Sequence, residues 1–172
     1  MGRSHLILPL LIGAGLAGAA LAAGSAGKIA DPVQARSDYL ENCGGCHGIN
    51  GTSAPALLPV LRDRSGYFLC TPKARAYLIR LPNVAHSRIT DNAELADLIN
   101  YVVFDLGGTS APRDAPPFTA EEVTRERSHP LVSVSLRAMR AEMVEAAIRS
   151  CGAPKSLRQL YPPKPDYPAN PS

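Results

Sequence analysis

Cys43, Cys46 and His47, in the stretch ENCGGCHGIN, are the residues best suited to chemistry in this chain. Two thiols three positions apart on a helix share nearly one face, and an imidazole follows the second at once. C-x-x-C-H is the attachment signature of c-type haem. The spacing has a physical reason. Two thiols that add to the two vinyl groups on one porphyrin edge must lie close together and on one side, and the adjacent histidine then reaches the iron from that side. One covalent haem c is therefore the expected cofactor, with Cys43 and Cys46 as its attachment points and His47 as the proximal axial ligand. Three other chemistries use similar residues. A thioredoxin-like redox pair needs a βαβ pattern around it, and none is present in the sequence. A structural zinc site needs a second ligand pair at similar spacing, and there is none. A local Cys43–Cys46 disulfide needs no histidine beside it.

The elements that must position these residues read as helices. Residues 28–47 form one, with Asp31 as N-cap and Pro32 at the first helical position. Val33, Leu40 and Cys43 recur at helical spacing, as do Tyr39 and Cys43. Residues 48–72 are rich in Gly and Pro and read as loop. A short helix over 73–81 carries Ala74, Tyr77, Leu78 and Leu81 on its apolar face and ends at Pro82. The clearest helix spans 91–108. Asp91 and Glu94 make a capping-box-like start, Leu95, Leu98, Ile99, Val102, Val103 and Leu106 form a continuous stripe, and Gly107 stops it. That stripe needs a partner, and the N-terminal helix is the natural one. TSAPRDAPP (109–117) reads as a linker. Thr119 and Glu122 open a short helix, and a further helix runs from about Ser133 to Ser150, stopped by Gly152. The proline-rich end, 161–172, reads as an extended tail.

In this order the pieces resemble a class I c-type cytochrome. That family has a helix ending in C-x-x-C-H, a proline-containing loop, a short helix, a distal-ligand loop and a last helix crossing the first. The resemblance covers residues 31–107 and implies an all-α, cytochrome c-like fold around one haem, with a helical C-terminal extension. It also implies that a proline carbonyl about twelve residues after the histidine accepts the ring N–H of the proximal ligand. Pro59 stands at that place, and Pro55 is a nearer alternative. The expected divisions are a signal segment at 1–26, a haem domain at 28–108, a helical extension at 109–160 and a tail at 161–172.

The chain departs from that family on the distal side. In RLPNVAHSRITD, Leu81-Pro82 stands where Met-Pro is expected, and leucine cannot bind iron. Met139 and Met143 lie beyond the pattern, four apart, as a core stripe would place them. His86, in the distal loop, is one candidate for the distal ligand and would give a His/His haem of lower potential than His/Met. Cys70 is the alternative, as a thiolate. A disulfide between Cys70 and Cys151 competes with it and would pin the extension to the haem domain. A distal position with no protein ligand is the remaining case. His129 reads as a helix-end residue.

The N-terminus reads as an export signal. One arginine precedes the uncharged segment 6–23, and small residues follow, with cleavage after Ala22, Ala23 or Ala26. If uncleaved, the segment is just long enough to anchor in a membrane. Either outcome places the rest outside the cytoplasm, in the periplasm, where paired cysteines are expected. There is no Trp and aromatic residues make up only 5 % of the chain, so a rigid apolar cofactor suits its core. The formal net charge is +3; loss of Arg3 leaves +2, and two haem propionates bring it near zero. That argues against nucleic acid and for weak long-range steering. The expected function is single-electron transfer between redox partner proteins, with a periplasmic dehydrogenase as candidate donor. The alternatives are a haem-based sensor, or a peroxidase-like subunit with an open distal site. The sequence shows no Ser-His-Asp set and no paired carboxylates near the motif, so no enzymatic residue is assigned.

Overall fold

Helix α1 (Pro32–Tyr39) begins where the Asp31 carboxylate accepts the N–H groups of Val33 and Gln34 at 3.1 and 3.0 Å, with Pro32 in the first turn. The computed structural model describes residues 27–53, 57–132 and 135–162. Among these, every regular element is helical and there is no strand, so the chain is all-α. Pro55, the segment 1–26 and residues 163–172 lie outside the described residues.

The α1 face that turns inward is Ala35, Asp38 and Tyr39, at i, i+3 and i+4. Val33 was expected on the apolar face but is 82 % exposed. The two-residue step from Val33 to Ala35 puts them about 160° apart round the axis. The helix then widens into a π turn (Leu40–Gly44) and closes as α2 (Gly45–His47). The stretch expected to be wholly loop contains a 3-10 helix (Ser65–Cys70) that buries Phe68. The Thr71 hydroxyl accepts Ala74 N–H and caps α3 (Pro72–Arg80), which buries Ala74, Tyr77 and Ile79. Leu81 is extended, as a residue before proline must be, and Pro82 then opens the one-turn helix α4 (Pro82–Ala85).

Asp91 accepts from Ala93 and Glu94 N–H at 2.7 and 3.1 Å and starts α5 (Asn92–Asn100), which continues as a π turn (Tyr101–Leu106). This segment buries Leu95, Leu98, Ile99, Tyr101, Val103, Phe104 and Leu106. As expected, α1 covers one side of it. The Asp97 carboxylate accepts the N–H groups of Ala30 and Asp31, both at 3.0 Å, and the Tyr39 and Tyr101 rings lie 5.6 Å apart. Gly107 ends the segment as expected, but not by a left-handed turn. Its φ is −66°, and a Cβ there would meet the Val103 carbonyl and lie 2.8 Å from Gly66 N. The left-handed residue is Gly108, at φ +52°.

Residues 109–117 connect, but as a packed strap. Ala115 and Phe118 are buried, and the buried Asn100 amide both accepts Phe118 N–H (2.7 Å) and donates to Phe118 carbonyl (3.1 Å). The Arg75 guanidinium stacks 3.8 Å over the Phe118 ring, donates to the Pro116 and Pro117 carbonyls, and pairs with Glu122. A strap rich in proline leaves its carbonyls without ladder partners, and Arg75 supplies the donors.

Helix α6 (Ala120–Arg127) starts at Thr119, whose hydroxyl accepts Glu122 N–H. Its Val123 joins Ile79, Leu95, Leu98 and Phe118 in one core. Helix α7 (Leu136–Cys151) is capped by Ser135 and stopped by the left-handed Gly152. Ser133, the expected start, lies outside the described residues. Met143, Val144 and Ala147 of α7 form a second core with Phe68, Tyr77 and Leu157. Cys151, at the end of α7, is bonded to Cys70 with their Cα atoms 5.8 Å apart.

Closing a loop between residues 81 apart constrains the unfolded chain by about 4 kcal/mol in the chain-entropy description. Reduction with dithiothreitol, or Cys151→Ser, should therefore lower the urea midpoint by an amount equivalent to about 2–4 kcal/mol. A second expectation concerns acid. Burial pushes the Glu126 carboxyl up, but Arg125 and Arg80 bound to it outweigh burial and hold it below the usual carboxylate range. A depressed carboxylate adds stability above its unfolded pKa that is lost as pH falls through the folded one. The melting temperature should drop between about pH 5 and 3, and Glu126→Gln should make that drop shallower.

Candidate functional site

The α1–α2 run ends at His47 and places Cys43 half-buried and Cys46 exposed. Cys43 packs against both the α5 core and the Tyr39–Tyr101 cluster. Neither cysteine is disulfide-bonded. Burial, with the neighbouring Cys46, pushes the Cys43 thiol up to about 11, so it is protonated at neutral pH. Disulfide oxidoreductases need the opposite, a thiol whose pKa is lowered to give the thiolate.

His47 Nδ1 lies 3.1 Å from the Pro59 carbonyl, twelve residues on. A carbonyl only accepts, so Nδ1 carries the hydrogen and Nε2 presents its lone pair. Burial lowers the His47 pKa, the Pro59 bond raises it, and the nearby Arg140 charge lowers it; the net shift is downward. The imidazole is therefore neutral at pH 7, the form that binds a metal. Sequence reading missed Ser53. Its hydroxyl donates to the same Pro59 carbonyl at 2.8 Å, and its N–H donates to the His47 carbonyl at 2.7 Å. Ser53 is buried with φ +62°, a strained conformation for a serine that these two bonds stabilise. The turn is closed by Tyr39, whose hydroxyl donates to the Gly48 carbonyl at 2.6 Å. Burial, with Cys43 and Tyr101 beside it, pushes that phenol up to about 12, so it remains a donor.

The distal candidates separate. Cys70 is bonded to Cys151. Its assignment as an iron ligand is thereby corrected, because a disulfide sulfur offers no thiolate. Leu81 is half-buried in the second core, together with Met139. Met143 is 2 % exposed, as a core residue is. His86 is exposed at the end of α4, where its backbone N–H donates to the Pro82 carbonyl. The loop that carries it is fixed from α6. Arg127 donates to the Ala85 and Ile89 carbonyls at 3.2 Å and to Asn92 Oδ1 at 2.7 Å. Sequence offered no sign of this clamp, since an arginine among alternating charges reads as a solvated face. Among the described residues, no three His, Cys, Asp or Glu side chains converge into a metal cage.

No family model matches the chain, and no curated protein or solved structure matches it significantly.

Replacing Arg127 with methionine keeps the aliphatic stem but leaves two carbonyls without their charged donor. The expected cost is about 2 kcal/mol in urea unfolding, with faster amide exchange across residues 86–92 and little change elsewhere.

Proposed function

We propose that the chain is an exported monohaem c-type cytochrome that passes single electrons between redox partner proteins. The observation that carries this reading is the His47–Pro59 bond, which aims Nε2 of a neutral imidazole away from Pro59 beside two unpaired cysteines. Cys43 and Cys46 would hold the haem by thioethers. Each thiol would add its S–H across one vinyl C=C, sulfur to one carbon and hydrogen to the other, with no change in overall redox state. His47 would supply the proximal nitrogen, and the Pro59 carbonyl fixes its tautomer and raises its basicity. When bound, the group supplies an iron that gains or loses one electron. The donor set fits it. So do the half-buried apolar side chains Leu40, Leu61, Leu78, Leu81, Val84 and Val102, which flank three separate buried clusters. The Cys70–Cys151 disulfide supports an oxidising compartment, the periplasm, in keeping with the N-terminal signal. No helix among the described residues is long and apolar enough to cross a membrane. A periplasmic dehydrogenase is the candidate electron donor.

A second reading rests on the distal side. With Cys70 in a disulfide, Leu81 apolar and His86 exposed, a gas-binding or peroxidase-like haem with an open position is the competing function.

Expression with a c-type maturation system should give a protein heavier by one haem, and Cys43→Ser with Cys46→Ser should abolish covalent attachment. Low-temperature EPR of the matured wild type and of His86→Ala separates the two functions. A low-spin wild type that turns high-spin in His86→Ala makes a bis-imidazole carrier. A high-spin wild type that binds CO makes the open-site reading correct. No haem on a correctly folded, matured chain would refute both.

A further inference from the structure

The hydrogen bond on His47 depends on a residue far along the chain. The Pro59 carbonyl, which accepts His47 Nδ1–H at 3.1 Å and the Ser53 hydroxyl at 2.8 Å, shares one peptide unit with the Val60 N–H. That N–H donates to the Leu160 carbonyl at 2.7 Å. A peptide unit is planar and, before a residue other than proline, trans, so its carbonyl and its N–H point in opposite directions. Fixing the N–H therefore fixes the carbonyl. Turning the unit over would break the bonds to His47, Ser53 and Leu160 together. Donation from the N–H also polarises the unit and makes its carbonyl a better acceptor. Residues 57–61 have no regular structure of their own that could aim that carbonyl instead.

Leu160 is itself anchored. Its side chain is 4 % exposed, in the second core with Phe68, Met143, Val144 and Leu157. The Arg64 guanidinium donates to the Ser156 carbonyl at 3.0 Å, so segments 60–64 and 156–160 are joined at both ends. The Cys70–Cys151 bond fixes the end of α7 just before this segment. We propose that Leu160 is a positioning residue for His47, acting through the Pro59–Val60 peptide unit. Its buried side chain anchors the segment, and its carbonyl aims the unit. This rests on the reading of His47 as the axial ligand of a haem and deepens it. A strong bond on Nδ1–H makes the imidazole a better donor through Nε2, which favours the oxidised state; weakening the bond raises the potential. The C-terminal extension thereby sets the potential through the imidazole's hydrogen bond.

The test uses the matured full chain: wild type, Leu160→Ala, Leu160→Met and, as a control, Val144→Ala. Leu160→Ala removes the anchor but keeps the carbonyl, and Leu160→Met keeps both. Val144, 3 % exposed in the same core, belongs to α7 and not to the segment that bonds Val60. Haem content is measured first. Hydrogen exchange of Val60 N–H and His47 Nδ1–H is then followed by NMR, in the reduced state where haem is present. Both should exchange about tenfold faster in Leu160→Ala, the equivalent of one lost hydrogen bond, and near the wild-type rate in the other two. On haem-loaded protein the midpoint potential should rise in Leu160→Ala alone. Should Leu160→Ala fail to fold, Arg64→Gln, which removes the solvent-exposed bond to Ser156, should shift the same readouts in the same direction by less. If the matured chain carries no haem, the haem reading fails on that count alone, and the exchange rates on that chain decide the positioning role. The proposal is overturned if the variant used leaves His47 Nδ1–H exchange at the wild-type rate, if Val144→Ala speeds it equally, or if the potential of haem-loaded protein does not move.

Discussion

A helix that is apolar round most of its circumference must be covered on several sides, and the segment 92–106 sets that demand for the whole chain. It buries Leu95, Leu98, Ile99, Val103 and Leu106 in different directions, and its polar Asn100 is buried as well. Each neighbouring element answers part of this. Tyr39 of α1 meets Tyr101 on one side. Ile79, Phe118 and Val123 close another. The Ser65 hydroxyl donates to the Val102 carbonyl, and Gly66 and Gly107 approach with no room for a Cβ on either. The π turn frees backbone groups that such side-chain bonds satisfy. The motif cysteines are positioned as a consequence, because the helix that carries them is the one packed on this segment.

What the sequence revealed was whatever is encoded locally. Asp31, Asp91 and Thr119 are caps whose chemistry acts within three residues, and Gly152 stops α7 by its own left-handed backbone. The His47–Pro59 bond was anticipated only through a family resemblance, by counting twelve residues. What could not be read is tertiary. The strap 109–117 looks like a linker because proline and small polar residues usually mark one, yet Arg75 and Asn100 supply from elsewhere the partners its backbone needs. Ser53 takes a positive φ that no serine advertises. Gly107 was placed correctly at the helix end for the wrong reason, since close approach and a left-handed turn both require glycine.

The charges of the extension illustrate the same limit. Alternating Arg and Glu suggests a solvated face or a docking surface. In the structure, Arg127 binds loop carbonyls, Arg140 binds Tyr161, and the inward carboxylates Glu122 and Glu126 pair with Arg75 and Arg80 from α3. The Arg127, Glu122 and Glu126 contacts tie the extension to α3 and to the loop after α4, whereas Arg140–Tyr161 lies within the extension. Pairs with one or both members half-exposed contribute little to net stability, but desolvated ones fix register, because a misplaced helix would strand a buried carboxylate. Glu122 is the clearest case, with its partner Arg75 also holding the strap.

The loop that carries His86 follows from that register. Leu81 closes the α3 end with an apolar side chain, and the extended backbone that Pro82 imposes on it turns the chain into α4 and out to His86. A short loop ending in an exposed histidine would ordinarily be free to move. Here the Arg127 guanidinium ties the carbonyls on both sides of it, at Ala85 and Ile89, and Leu131 N–H donates to the Arg80 carbonyl just upstream. The backbone around His86 is thereby held while its side chain stays exposed. That arrangement lets the exposed imidazole change rotamer without unfolding the loop.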